Sequence, residues 1–129
     1  MILLDTQALI WAQIEPRKLS KTARSAIDRA GKRGGMAISA FSLYELAQLL
    51  ERGRINLRGG LESSIQFFAE GLTIRPITLE IAALAVQFPP DFPRDPADRI
   101  IAATARAEDL PLVTADERIQ ACDLVKTIW

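Results

Sequence analysis

The chain contains no histidine. Its absence removes the imidazole general base and the zinc sites built on imidazole ligands. There is one cysteine, Cys122, so no intramolecular disulfide can form and no oxidising compartment is required. Cys122 reads as a small buried hydrophobe. No apolar run is long enough to span a bilayer. The N-terminal run is broken by Asp5 and carries no basic leader, so a cytoplasmic protein without membrane contact is expected. Net charge is also missing: 16 basic residues offset 16 acidic ones, which argues neither for nor against a polyanionic partner. Repeats, low-complexity stretches and linkers are absent, and a single domain over residues 1–129 is expected.

What remains is ordinary globular material, with 49% hydrophobic and 25% charged residues. The charge is unevenly spread. Met1 to Ser64 carry ten Lys/Arg against six Asp/Glu, giving +4, and the remainder has six against ten, giving −4. Solvated helix faces and an RNA-facing surface both account for such runs.

Strand and helix patterns alternate along the chain. "MILLD" reads as a buried parallel strand ending in an acid, and "TQALIWAQ" as a helix that "IEP" ends. Ser20 can cap "KTARSAIDRAGKR", which Gly34 and Gly35 stop. A strand "MAIS", a helix "SLYELAQLLERG", a helix "LESSIQFFAEG", a strand "LTIRPI" and a helix "TLEIAALAVQF" follow. "FPPDFP" is a rigid loop, Pro96 to about Glu108 a helix, "LPLVT" a strand, "ADERIQAC" a short helical turn and "LVKTIW" the last strand. Such alternation predicts an α/β fold with helices on both faces of a mainly parallel sheet.

In that architecture strand ends and helix starts share one edge. Asp5 closes the first strand, Glu45 falls in the first turn after the second, Asp98 in the first turn of the helix entering the fourth, and Asp116 just beyond the fourth. With strand order 3-2-1-4-5, strands one and four would be neighbours across the reversal point where open α/β sheets place ligands. Each acid also has a purely structural role available. Asp95 can cap a helix with Pro96 at its first position, and Asp98 can face the positive end of the helix dipole. Ser42-x-x-Glu45 matches a capping box, Asp116 can cap the turn after it, and Asp5 can end its strand.

Taken together, the acids ask for more. Two carboxylates ~5 Å apart repel by about 3 kcal/mol at an effective dielectric of ~20, so clustering them is costly without a cation. Mg²⁺ or Mn²⁺ suits oxygen ligands, keeps waters, and works with phosphate substrates. With no imidazole to act as base, water acidified by the ion is the natural nucleophile, a carboxylate takes its proton, and phosphodiester hydrolysis is the matching reaction.

The chain resembles the PIN-domain family, and within it the VapC-type toxins of bacterial toxin–antitoxin pairs. The resemblance rests on "LLDTQALIW", "ISAFSLYELA", "RDPADRIIAATA" and "LPLVTADERI" followed by a terminal "IW", and it covers nearly the whole length. It implies a three-layer α/β/α sandwich with a mainly parallel five-stranded sheet ordered 3-2-1-4-5. Carried over by residue, it implies that Asp5, Glu45 and Asp98 are the principal metal-site and catalytic acids, with Asp116 as the fourth. Thr114 would support Asp116 or a water; Thr6 and Ser39 are weaker candidates for that orienting role and also read as a helix start and a strand end.

The family cleaves RNA, commonly tRNA or ribosomal RNA, with Mg²⁺ or Mn²⁺, and generally forms homodimers. Arg94, Arg99 and Arg118 flank the acids and are candidate phosphate-binding residues; intramolecular salt bridges are the other reading. A cognate antitoxin is implied, with Leu9, Ile10, Trp11 and Leu19 as possible contacts or core residues. Two departures stand out: Gln7 and Pro93 occupy positions where relatives often carry histidine.

Other readings fit less well. A phospho-receiver domain needs an acidic pair after strand one and an aspartate ending strand three, where this chain has "IRPIT"; a haloacid-dehalogenase-like phosphatase needs an aspartate where Gln7 stands. A PIN nuclease of RNA processing without an antitoxin, or a PIN-fold binding module that has lost catalysis, remains open. An adjacent short reading frame encoding a DNA-binding antitoxin would separate these.

Overall fold

A computed structural model describes residues 1–33 and 35–129. Gly34, half of the expected "GG" stop, lies outside the described residues. Five short strands, β1 (Ile2–Leu4), β2 (Met36–Ser39), β3 (Thr73–Arg75), β4 (Leu112–Val113) and β5 (Thr127–Ile128), form one sheet in the order β3-β2-β1-β4-β5. Every pairing is parallel, so the sheet agrees with the expected order and is parallel throughout.

Side chains alternate across the sheet, and the register makes that alternation a layer rule. Leu3 pairs with Ala37 and Leu112, and all three sit in one core. Leu4 pairs with Ile38 and Val113, and all three sit in the other. Both faces are covered, which is why "ILL" carries no polar alternation.

Over the first face lie α5 (Leu79–Ala85) and α6 (Pro96–Ala107), contributing Ile81, Ile101 and Ala105. Over the second lie α1 (Thr6–Ile14), α2 (Lys21–Lys32), α3 (Ala40–Glu51) and α4 (Leu61–Ala69), contributing Leu9, Ala23, Leu46 and Phe68. A short α7 (Glu117–Gln120) joins β4 to β5. Among the described residues no helix is long and apolar enough to cross a membrane.

Several boundaries differ from the sequence reading. A single 3-10 turn at Pro16–Lys18 follows α1, and α3 begins at Ala40 with Ser39 as its N-cap, three residues before Ser42. The capping-box reading of Ser42 and Glu45 is therefore wrong: Ser42 sits inside the helix, and Glu45 is in its second turn. α5 stops at Ala85 although the apolar pattern continues, because Phe88 leaves the helix to stack on Phe92, ring centroids 4.1 Å apart. Leu9, Ile10 and Leu19 are buried in the core, whereas Trp11 is half-buried with its ring 5.9 Å from that of Trp129.

Candidate active site

The acids lie at the carboxyl edge of the sheet, Asp5 and Asp116 fixed as helix N-caps and Glu45 by a side-chain hydrogen bond. Asp5 leaves β1 with its backbone N–H still donating to Val113 of β4 at 3.1 Å. Its carboxylate then caps α1, accepting from the Ala8 N–H at 2.7 Å. The buried Thr114 hydroxyl donates to the same carboxylate and accepts the Asp116 N–H at 3.1 Å. One threonine thus ties the end of β1 to the turn after β4. Asp116 caps α7, accepting from Arg118 N–H at 2.8 Å and Ile119 N–H at 3.3 Å.

Glu45 projects from α3 and accepts from the buried Thr6 hydroxyl. Thr6 Oγ1 is also 2.9 Å from Ser42 Oγ; with its only hydrogen given to Glu45, it meets Ser42 as an acceptor. Asp98 is the third residue of α6, behind an N-cap supplied by Asp95, which accepts from the Ala97 N–H at 2.9 Å. The opening of α6 thus divides the work: Asp95 is spent on the cap, and Asp98 is left to face the cleft.

Asp5, Glu45 and Asp98 line a common cleft of about 560 Å³, with Asp95 at its rim; Asp116 acts from the side, through its charge on Asp5 and Asp98. Burial pushes the Asp98 carboxyl up to about 6, reinforced by the charges of Asp95, Asp116, Glu45 and Asp5. Glu45 is raised by burial against the Thr6 hydrogen bond, with Asp95 and Asp5 adding repulsion. Asp5 is raised by burial despite the hydrogen bonds from Thr114 and Ala8. Among the described residues no basic side chain forms an ion pair with any of these three; the one ion pair at this edge is Arg118 to Asp116 at 3.8 Å.

An all-oxygen, negatively charged, histidine-free cleft fits Mg²⁺ or Mn²⁺ and suits Zn²⁺ poorly. Among the described residues no three acidic or thiol side chains close on a point. An ion held by a few carboxylates with water completing its shell is how Mg²⁺ is usually bound.

The structure separates the three arginines. Arg118 is exposed beside Asp116 but lines a separate depression with Phe92 and Leu124. Arg94 is exposed but lines a different, apolar depression with Ile77 and Val86. Arg99 turns away from the acids: its guanidinium donates to the carbonyls of Pro93 at 2.8 Å, Ala85 at 3.3 Å and Phe92 at 3.5 Å, so three of its five donors are spent on the protein. Ser39 is spent as the α3 cap, accepting from the Phe41 N–H at 3.1 Å.

The sequence reading missed the α3 wall of the cleft, where Phe41, Tyr44, Gln48 and Arg52 stand beside Glu45. Their spacing on one helical stripe was the available signal.

A family model for the PIN domain matches residues 2–124, nearly the whole chain. The chain belongs to the PIN-domain family. Among curated PIN relatives, Ribonuclease VapC22 of Mycobacterium tuberculosis is 42% identical over 120 residues, covering 93% of this chain and 90% of that protein. Solved structures share the PIN fold. A chain of VapBC2 from Rickettsia felis, bound to a promoter DNA fragment, superposes with a TM-score of 0.74 at 19% identity, covering 98% of this chain and 97% of that one. A chain of FitAcB from Neisseria gonorrhoeae gives 0.65 at 27% identity, covering 98% and 96%.

Proposed function

We propose that this PIN-domain protein is a Mg²⁺- or Mn²⁺-dependent endoribonuclease of the VapC toxin type, acting in the cytoplasm on tRNA or ribosomal RNA and neutralised by a cognate antitoxin. The observation that carries the proposal is the cleft itself: three half-buried carboxylates, raised by burial and mutual repulsion, with no basic side chain paired to them among the described residues. The ribonuclease name of the 42%-identical relative supports the activity, and the VapBC relative supports an antitoxin partner; a homodimer completes the proposal.

Asp5, Asp98 and Glu45 would hold the ion, one or two of them directly and the rest through its waters, with Asp116 supplying charge from the side. When bound, the ion offsets the charge on the scissile phosphate and acidifies an attacking water. Thr114 fixes the Asp5 carboxylate and the backbone of Asp116; Thr6 fixes Glu45. A carboxylate of this set accepts the proton of the attacking water. Arg118, exposed beside Asp116, would be the candidate for a neighbouring phosphate.

The test is cleavage of total tRNA by purified, antitoxin-free protein with Mg²⁺ or Mn²⁺, against EDTA and the variants Asp5→Asn and Asp98→Asn. Discrete fragments that disappear in all three controls are expected. Cleavage that survives EDTA or either variant would refute a carboxylate–metal nuclease.

A further inference from the structure

Tyr44 is the chain's one tyrosine and is 58% exposed on the wall of the acidic cleft. A large ring left in water contributes little to the core, yet this one is held in place. Phe41 meets it edge-on, centroids 5.8 Å apart and planes at 74°, so Phe41 props the ring from one side. Gln48 donates to its hydroxyl at 3.3 Å from one turn further along α3. An exposed ring anchored at two points is a preorganised stacking surface.

Arg52 continues the same row, and Tyr44, Gln48 and Arg52 follow at i, i+4 and i+8 along one helix face. Arg52 is exposed, also lines the cleft, and forms no ion pair among the described residues. Its position is set by the helix end: Gly53 adopts φ +72°, and the Gly53 and Arg54 N–H groups close back on Leu50 at 3.1 Å and Leu49 at 2.9 Å. From Tyr44 to Arg52 the helix rises ~12 Å, the reach of a few nucleotides. The cleft therefore runs from carboxylates at one end, past an aromatic face, to a cation at the other.

Resting on the ribonuclease reading above, we infer that the Tyr44–Gln48–Arg52 row is a single-strand subsite: Tyr44 stacks on an unpaired base beside the scissile phosphate, and Arg52 binds a backbone phosphate further along. Stacking needs only a π-face, so the subsite selects unpaired RNA and tolerates sequence.

Anisotropy of a labelled pool of short single-stranded oligoribonucleotides, with Ca²⁺ replacing Mg²⁺, reads binding apart from cleavage. Tyr44→Ala should weaken binding roughly tenfold and Tyr44→Phe should preserve it. Arg52→Ala should lower affinity and flatten the log–log salt dependence by about 0.7, one phosphate contact on a single strand. Tyr44→Phe and Arg52→Ala should keep the wild-type melting temperature, and Tyr44→Ala, which loses the contact with Phe41, should remain fully folded at the assay temperature. Binding unaffected by Tyr44→Ala, or weakened equally by Tyr44→Phe, would overturn the inference, as would a loss confined to antitoxin affinity. Oligonucleotide binding without cleavage of either tRNA or ribosomal RNA in Mg²⁺ would defeat the nuclease reading and leave the subsite standing. Cleavage of tRNA by a protein that ignores the single strands would do the reverse.

Discussion

At the scale of single residues, the cleft trades stability for chemistry. Asp98 titrates near 6 against an ordinary value of 3.8, so between those values the metal-free folded chain binds more protons than the unfolded one. Its contribution to stability therefore falls as pH rises through that window. Asp5 and Glu45 shift in the same direction. Asp98→Asn should stabilise the metal-free protein at pH 7.5 by on the order of 1 kcal/mol, since solvent screens a half-exposed carboxylate, with the gain fading below pH ~4, while abolishing cleavage. Denaturant melts of both proteins across pH check the sign; a variant no more stable than wild type at pH 7.5 would contradict it. Thr114→Val should act through Asp5: loss of the hydroxyl removes a donor that opposes the burial penalty, so Asp5 rises further. The pH–rate profile should then move to higher pH.

At the scale of elements, the start of α6 combines two roles that substitution can separate. Asp95 caps the helix and also repels Asp98 and Glu45. Asp95→Asn keeps a good cap and removes the charge, whereas Asp95→Ala loses the cap, typically ~1 kcal/mol. The asparagine variant should therefore be the more stable of the two in thermal melts without metal. The Arg99 clamp gives another element-scale prediction, since its carbonyl bonds tie α6 to the loop after α5. Arg99→Ala should destabilise by about 1.5–3 kcal/mol in denaturant melts, with the salt dependence of RNA binding unchanged.

Much of this scale was legible in advance, because continuous apolar strands and capped helices are local patterns. The "MAIS" strand, the Asp95–Pro96 helix start and the strand order were readable from the sequence for that reason. The start of α3 was not: Ser39 and Ser42 are chemically equivalent caps, and only the extended backbone at Ser39, φ −69° and ψ 144°, selects between them. Arg99 looked like a neighbour of the acids because it is one residue from Asp98, but its partners lie on another segment of chain. Tyr44 went unread for a related reason. Spacing alone places it on a helix, and a tertiary cleft is needed to show which helix face matters.

At the scale of the whole molecule, the neutral total charge hides a carboxylate edge whose excess only a cation can offset. The central claim is that this edge is one divalent-metal site, and calorimetric titration of Mn²⁺ into the metal-free protein tests it most directly. At pH 6, binding should be saturable and release protons, because the cleft carboxylates held above their ordinary range must give theirs up; at pH 8 the share released by Asp98 should vanish. Asp98→Asn should weaken binding at least about tenfold, the cost of losing one charged ligand. Saturable binding by the wild type that Asp98→Asn leaves intact, or no binding at all, would contradict the account.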